Sequence, residues 1–318
     1  MLEPLLAEAM PTVSKDGLTY TFKIRKGIFF HDNSSFPGGK GRELTAKDFE
    51  YSLKRLADPR VHSTGFWILE GRIKGLDEWH KKYTDNTTAK PDYNEEVEGL
   101  RALDDRTLQI VLKQPYPQLQ NALAMPYTSA VAKEVVEKYG QEFMNHAVGT
   151  GAFILESYAA DQIIYKKNPN YWGKFPSDGP AEDAGKALPL VDGVNVRVIV
   201  EDQPRWLHFM KGDIDYVAIP KDNFGSAVTL KDKSKPATVE NLELTEEMKK
   251  KNIELFGAVA LDFTYTAFNT DSKEIPQFKD KRVRQAISLA VDETEAIQLF
   301  YNGRATSAQT PIPPGISG

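Results

Sequence analysis

Histidines, carboxylates and glycines are the residues in this chain that could bind metal, move protons or cradle phosphate. The five histidines are His31, His62, His80, His146 and His208. No two fall at the i, i+4 spacing that puts a pair of imidazoles on one helix face for a metal. His31-Asp32 is the nearest metal-like pair, and it reads as part of a loop. Asp213 and Asp215, in Gly212-Asp213-Ile214-Asp215, could begin a calcium loop, but the other ligands of such a loop do not follow. That segment reads as a helix-to-strand turn. In Gly38-Gly39-Lys40-Gly41 the lysine is followed by glycine, where a phosphate loop requires Ser or Thr, so the motif reads as a flexible turn. Gly149-Thr150-Gly151 has isoleucine at position 154 where a dinucleotide fingerprint has glycine, and reads as a hinge or tight crossover.

Nucleophilic catalysis finds no support. There is no G-x-S-x-G elbow, and a chain with no cysteine has no thiolate nucleophile, disulfide or zinc–cysteine site. Asn33-Ser34-Ser35 and Asn86-Thr87-Thr88 fit the glycosylation pattern, and no function is attached to them. The residues supply no acid–base pair, no metal site and no cofactor motif. What they do supply is aromatic surface: 13 Tyr, 16 Phe and 4 Trp. Most of these belong to cores. Trp67, beside Phe66 and after the small-polar stretch Ser63-Thr64-Gly65, is a candidate pocket wall. So is Tyr265, near a predicted strand end, where α/β sheets place ligands.

The elements that must position these residues follow from periodicity. Residues 18–24 alternate in β-formers after the turn Lys15-Asp16-Gly17 and predict a strand, with a short one at 28–30. Thr45, with Asp48 three residues on, predicts a helix N-cap, and Phe49, Leu53 and Leu56 continue at helical spacing toward Asp58-Pro59. Helix follows within 63–83, strand over 106–112, and helices over 118–124 and 133–139, the last ending at Gly140. Strands are expected at 153–157, 162–166, 194–200 and 214–219, with a helix at 203–210. The polar stretch 221–251 contains a helix at 245–251. Residues 253–269 read as mostly strand, and 281–300 as one amphipathic helix.

The mixture, without a regular βαβ period, predicts α/β lobes of mixed α+β character. At about 150 residues per domain, 318 residues suggest two domains. Hydrophobic residues at 41% and charged residues at 27% exclude a disordered chain. A net charge of −5 disfavours nucleic acid as a partner. No apolar run approaches the ~20 residues of a membrane span, and Met1-Leu2-Glu3-Pro4 does not open a signal peptide.

Four ordered segments carry a resemblance. They are Leu5-Leu6-Ala7-Glu8 through Asp16–Gly27 to Phe30-His31-Asp32 and Leu44–Phe49; Val148–Phe153 with Asn168-Pro169-Asn170-Tyr171-Trp172; Gly212–Asp215; and Phe268-Asn269-Thr270 with Phe278–Ile287. Together the chain resembles the family-5 extracytoplasmic solute-binding proteins, the oligopeptide, dipeptide and nickel class that serves ABC importers. The resemblance implies a periplasmic-binding-protein-like fold of type II, cluster C, incomplete, with a chain truncated at both ends. It implies a small accessory domain at 1–147, a hinge-proximal main domain at 148–268 and the start of a distal lobe at 269–318. It further implies capture of oligopeptides between two lobes and delivery to ABC permease subunits, by a monomeric, periplasmic or membrane-anchored extracytoplasmic protein that is not an enzyme and carries no cofactor. Ligand contacts would come from Phe66 and Trp67, from Ala218 and Ile219, and from Tyr265, Ala267 and Asn269. The hinge would be Gly149, Thr150 and Gly151. Some peptide binders place an acid near the Tyr265 strand, where this chain has Ala267. The alternatives are a nickel or metal-chelate binder of the same fold and, from another class, a peptide- or glycoside-directed hydrolase, which the missing carboxylate pair disfavours.

Overall fold

A computed structural model describes residues 2–86 and 88–316. Thr87 of the second glycosylation triplet, Met1, and Ser317 and Gly318 of the expected distal segment lie outside the described residues. The chain forms two compact units, Met1–Val198 and Ile199–Gly318.

The first unit begins with β1 (Thr12–Val13) and β2 (Thr19–Lys23), then α1 (Ala46–Leu56) and α2 (Leu76–Asp85), then β3 (Leu100–Asp104) and β4 (Thr107–Val111). The strands form an antiparallel sheet in the order β1-β2-β4-β3. Tyr20 pairs with Ile110 and Phe22 with Leu108, so the period-two apolar residues of both central strands share one face. Tyr20, Leu108 and Ile110 are buried there, with Leu53 and Leu56 of α1 in the same core. The cap predicted for α1 forms: Asp48 Oδ2 accepts the Thr45 N–H at 2.8 Å. Ile68, Leu69, Ile73 and Leu76, all fully buried, extend this core toward α2.

Two short helices follow, α3 (Leu119–Leu123) and α4 (Lys133–Tyr139). A second antiparallel sheet comprises β5 (Phe153–Tyr158), β6 (Gln162–Lys167) and β7 (Gly193–Arg197), in that order. Leu155, Tyr165 and Val194 stand in register across it, as do Tyr158, Ile163 and Val196.

The second unit contains α5 (Asp202–Lys211), α6 (Phe224–Ala227), β8 (Val228–Leu230), β9 (Leu242–Leu244), α7 (Glu246–Lys249), α8 (Lys281–Leu289) and α9 (Glu293–Tyr301). Its buried apolar cluster is Trp206, Ala227, Val228, Leu244 and Met248.

Several predicted elements differ. The single helix expected over 281–300 is two helices, because Asp292 caps a new one by accepting the Glu295 N–H at 2.9 Å. The strand expected at 214–219 is irregular backbone, with Tyr216 79% exposed. The strand expected at 253–269 is also unassigned. Among the described residues no backbone N–H or C=O from 253 to 268 makes a hydrogen bond, and alternation without a ladder partner does not make a strand. Conversely, β8 and β9 pair within the lysine-rich stretch 221–251, where the only element expected was the helix at 245–251. At 28–30 there is only an isolated bridge, Phe29 to Glu43.

Candidate functional site

The expected ligand-contact residues fall in both units. In the first, Phe66 and Trp67 share a 3₁₀ turn, Phe66–Ile68, and that tight turn sends their side chains different ways. Phe66 is half-buried and stacks on the His80 ring with centroids 4.5 Å apart. His80 is itself held by a 2.6 Å hydrogen bond between Nδ1 and the Ala57 carbonyl. Phe66, His80, Glu70, Asp77, Lys81 and Thr84 line a shallow cavity of about 460 Å³. Trp67 is 56% exposed, a large aromatic surface left to solvent. Tyr127, also largely exposed, lies alongside this turn: a Cβ added at Gly65 would sit 2.4 Å from its ring. Sequence reasoning counted Tyr127 only in the general aromatic surplus. The signal that could have placed it was Gly65, the small residue that permits the approach.

In the second unit Ala218 is exposed, and Ile219 is half-buried against the Trp206 cluster. Tyr265 is 71% exposed and stacks on Phe263 at 5.2 Å. Ala267 and Asn269 are exposed, and Asn269 Oδ1 accepts the Asp271 N–H at 3.1 Å. No hydrogen bond or ring–ring contact among the described residues links Ala218 and Ile219 to Tyr265, Ala267 or Asn269. Residues 258–266 alternate: Val259, Leu261, Phe263 and Tyr265 are large, apolar and exposed, with Ala260, Asp262 and Thr264 between them and Thr266 following. This unit therefore offers a stretch with a backbone free of hydrogen bonds and an apolar, partly aromatic face. Backbone groups of that kind can hydrogen-bond an extended partner, while alternate side chains supply apolar contact.

Residues 149–151, the expected hinge, lie in the first unit between α4 and β5. Neither Gly149 nor Gly151 has a positive φ, and an added Cβ at either would meet nothing closer than 4.0 Å. Glycine is thus not required there by the conformation seen. The passage is tied down from two sides. His31 donates its backbone N–H to the Gly149 carbonyl at 2.8 Å, and its Nε2 lies 2.9 Å from the Gly151 carbonyl. Asn168 Nδ2 donates to the same Gly151 oxygen at 3.0 Å, and the Asn168 N–H to the Ala152 carbonyl at 2.8 Å. Burial holds His31 below the ordinary histidine range, partly offset by the Gly151 hydrogen bond and by Asp32. Asp32 is lowered in turn by its hydrogen bond to Lys40.

Nearby, Arg42 clamps the loop before α1 to two helices. It reaches Asp48 at 2.6 Å and Glu134 at 2.6 Å, and its guanidinium lies over the Phe30 ring. These are structural charges. Among the described residues there is no group of three or more His, Cys, Asp or Glu side chains that could hold a metal ion. No helix among them is long and apolar enough to cross a membrane.

Comparison with known proteins places this geometry. The model of the bacterial extracellular solute-binding proteins, family 5 Middle, matches residues 1–318. The glutathione-binding protein GsiB of Escherichia coli O1:K1 is 28% identical over 317 residues, covering 99% of this chain and 49% of that relative. Among solved structures, OppA of Burkholderia pseudomallei aligns with a TM-score of 0.69 at 22% identity, over 99% of this chain and 52% of its own. The Escherichia coli murein tripeptide binding protein MppA aligns with a TM-score of 0.67 at 23% identity, over 98% of this chain and 52% of its own. DppA of Helicobacter pylori, in complex with the peptide STSA, aligns with a TM-score of 0.62 at 24% identity, over 99% and 52%. The chain spans about half the length of the curated relatives it matches. At these identities the solved structures establish the mixed α/β fold of the family.

Proposed function

Since the chain belongs to the family-5 bacterial extracellular solute-binding proteins, we propose that it serves the binding component of an ABC importer that captures short peptides outside the cytoplasm and presents them to permease subunits. The observation that carries this reading is the family match over residues 1–318. Glutathione is itself a small γ-linked tripeptide, and GsiB binds it. Peptides of about this size, glutathione included, are therefore the first ligands to try.

On this reading residues 1–147 act as an accessory domain, 148–268 as the hinge-proximal domain and 269–318 as the start of a distal lobe. Trp67 and Tyr265 offer flat apolar surface to side chains, while the unpaired backbone at 265–268 offers donors and acceptors to the peptide main chain. Ala218 and Ile219, at the Trp206 cluster of the second unit, contribute a small apolar contact of their own. Binding shifts an equilibrium toward a closed form, with residues 149–151 absorbing part of the change, and no bond is made or broken.

The test is thermal unfolding of the purified chain with and without glutathione and a panel of tri- to pentapeptides. A ligand that binds only the folded state at 100 times its Kd stabilises by about 2.7 kcal/mol, which is visible as a higher melting temperature. No shift with any member of the panel, at millimolar concentration, would overturn the peptide reading. Turnover of a peptide would overturn the binding-only reading.

A further inference from the structure

We propose that His31 is a neutral-form latch on the 149–151 passage, and that protonating its ring frees that passage from the β1–β4 half of the first unit. Two bonds from one residue make the latch: the backbone N–H to the Gly149 carbonyl and the ring Nε2 to the Gly151 carbonyl. A carbonyl oxygen only accepts, so Nε2 carries the hydrogen and Nδ1 of the neutral ring is a bare lone pair. That Nδ1 is buried with no hydrogen-bond partner. His31 is 7% exposed and Asn168, which holds the same Gly151 carbonyl from the other side, is 6% exposed. A proton added at Nδ1 would place both a charge and an unmatched donor in a site closed to water, which is costly in either respect.

The surrounding charges do not relieve that cost. Asp32, next in the chain, is occupied by Lys40 Nζ at 2.7 Å and by the Gly41 N–H at 3.0 Å. On the adjoining segment, Arg42 is taken by Asp48 and Glu134, and Glu43 accepts the Gly27 N–H. Residues 148–153 contain no titratable side chain. On the Asn168 side stand Lys166, Lys167 and Tyr171, with Arg25 over the Trp172 ring; of the carboxylates on the neighbouring strands, Glu156 is 3.8 Å from the Lys166 ammonium, and Asp192 accepts the Lys167 N–H through its backbone carbonyl. In an opened passage the ring meets water and regains an ordinary histidine pKa of about 6.5. Opening then takes up a proton, and the opening constant rises between pH 7.5 and pH 5.5 by at most about tenfold, the limit set by a ring that stays neutral in the closed form. The latch is thus fully effective above pH ~6.5 and weakens as pH falls below it.

The test uses the 318-residue chain. Amide hydrogen exchange at His31 and Asn168, corrected for intrinsic rates, is compared at pH 7.5 and 5.5 in the wild type and in His31→Gln, whose amide can still donate to Gly151 but does not titrate. The expected result is a loss of protection on acidification at both amides in the wild type, up to about tenfold, and none in the variant. Nitrogen-15 NMR of the unsubstituted ring should show the Nε2–H tautomer at pH 7, a readout that holds even if the variant fails to fold. Protection that is flat with pH in the wild type, an equal loss in His31→Gln, or an Nδ1–H or doubly protonated ring at pH 7 would each overturn the proposal.

Discussion

Lys54 is the most buried charge in the chain, and replacing it should be severe. On α1 it is 0% exposed, yet its ammonium is fully engaged: Glu50 Oε1 at 2.7 Å, the Glu95 carbonyl at 2.9 Å and the Tyr93 carbonyl at 3.1 Å. Glu50 in turn accepts the Ala102 N–H through Oε2 at 2.9 Å, so this ammonium joins α1, the 93–95 loop and β3. Lys54→Met keeps most of the side-chain volume and removes only the three donors. Two carbonyls are left without their partner, at about 1–3 kcal/mol each where fully buried. The Glu50 carboxylate, 23% exposed, retains some water and one N–H, so its share falls below the full cost of a stranded charge. The sum is about 3–5 kcal/mol. With a urea m-value near 3 kcal/mol/M the midpoint falls by ~1–1.7 M, read by far-ultraviolet circular dichroism and by tryptophan fluorescence, to which Trp79 beside this loop contributes. The double variant Lys54→Met/Glu50→Gln should regain about 1 kcal/mol, because the stranded charge is gone. A loss below about 1 kcal/mol for Lys54→Met, or no recovery in the double variant, would refute this account of the buried ammonium.

Three further outcomes are expected. Trp67→Ala should leave folding within about 0.5 kcal/mol, since the indole is exposed, while weakening peptide or glutathione affinity by tenfold or more; calorimetric titration beside a melting curve separates the two effects. Gly65→Ala should destabilise by about 1–3 kcal/mol, because the new methyl meets the Tyr127 ring, and Gly65→Ala/Tyr127→Ala should recover most of that in a thermal melt. The Arg42 hydrogen bond holds Glu134 below its ordinary value of 4.5, so stability should be fully present above that value and fall as pH drops through the lowered one; in Arg42→Gln this acid-side slope should flatten in unfolding curves taken between pH 3 and 6.

Local chemistry explains which parts of the fold could be read from the residues. The Thr45 cap was legible because its partner Asp48 lies three positions away. Strand β2 was legible because Tyr20 and Phe22 alternate. The stretch 253–269 alternates just as well but pairs with nothing described, since a side-chain pattern specifies a face and only a second strand completes a ladder. β8 and β9 failed in the other direction: each spans three residues, too short for a period to show, and Asn241 anchors their connection through carbonyls at Asp232, Lys235 and Pro236. The break between α8 and α9 was written as Asp292 with Glu295 three residues on, a cap hidden inside an apolar pattern that runs through it. For the site, the residue types singled out Trp67 and Tyr265, both of which are exposed. What the residue types could not show is that Phe66, the neighbour of Trp67, is instead half-buried on the His80 ring, because that depends on the 3₁₀ turn and on a partner 14 positions away. Nor could they show the His31 clamp, which joins residues 120 positions apart.

The unpaired stretch at 253–268 sets up a race governed by mass action. An open backbone with an aromatic face can pair with any extended segment, tethered or dissolved. A strand tethered to the same chain arrives at an effective concentration on the order of millimolar. Copies dissolved at micromolar concentration are outnumbered about a thousandfold in that contest, but lose the handicap as the protein is concentrated. A dilution series therefore separates pairing within one molecule, which is independent of concentration, from pairing between copies, which is not.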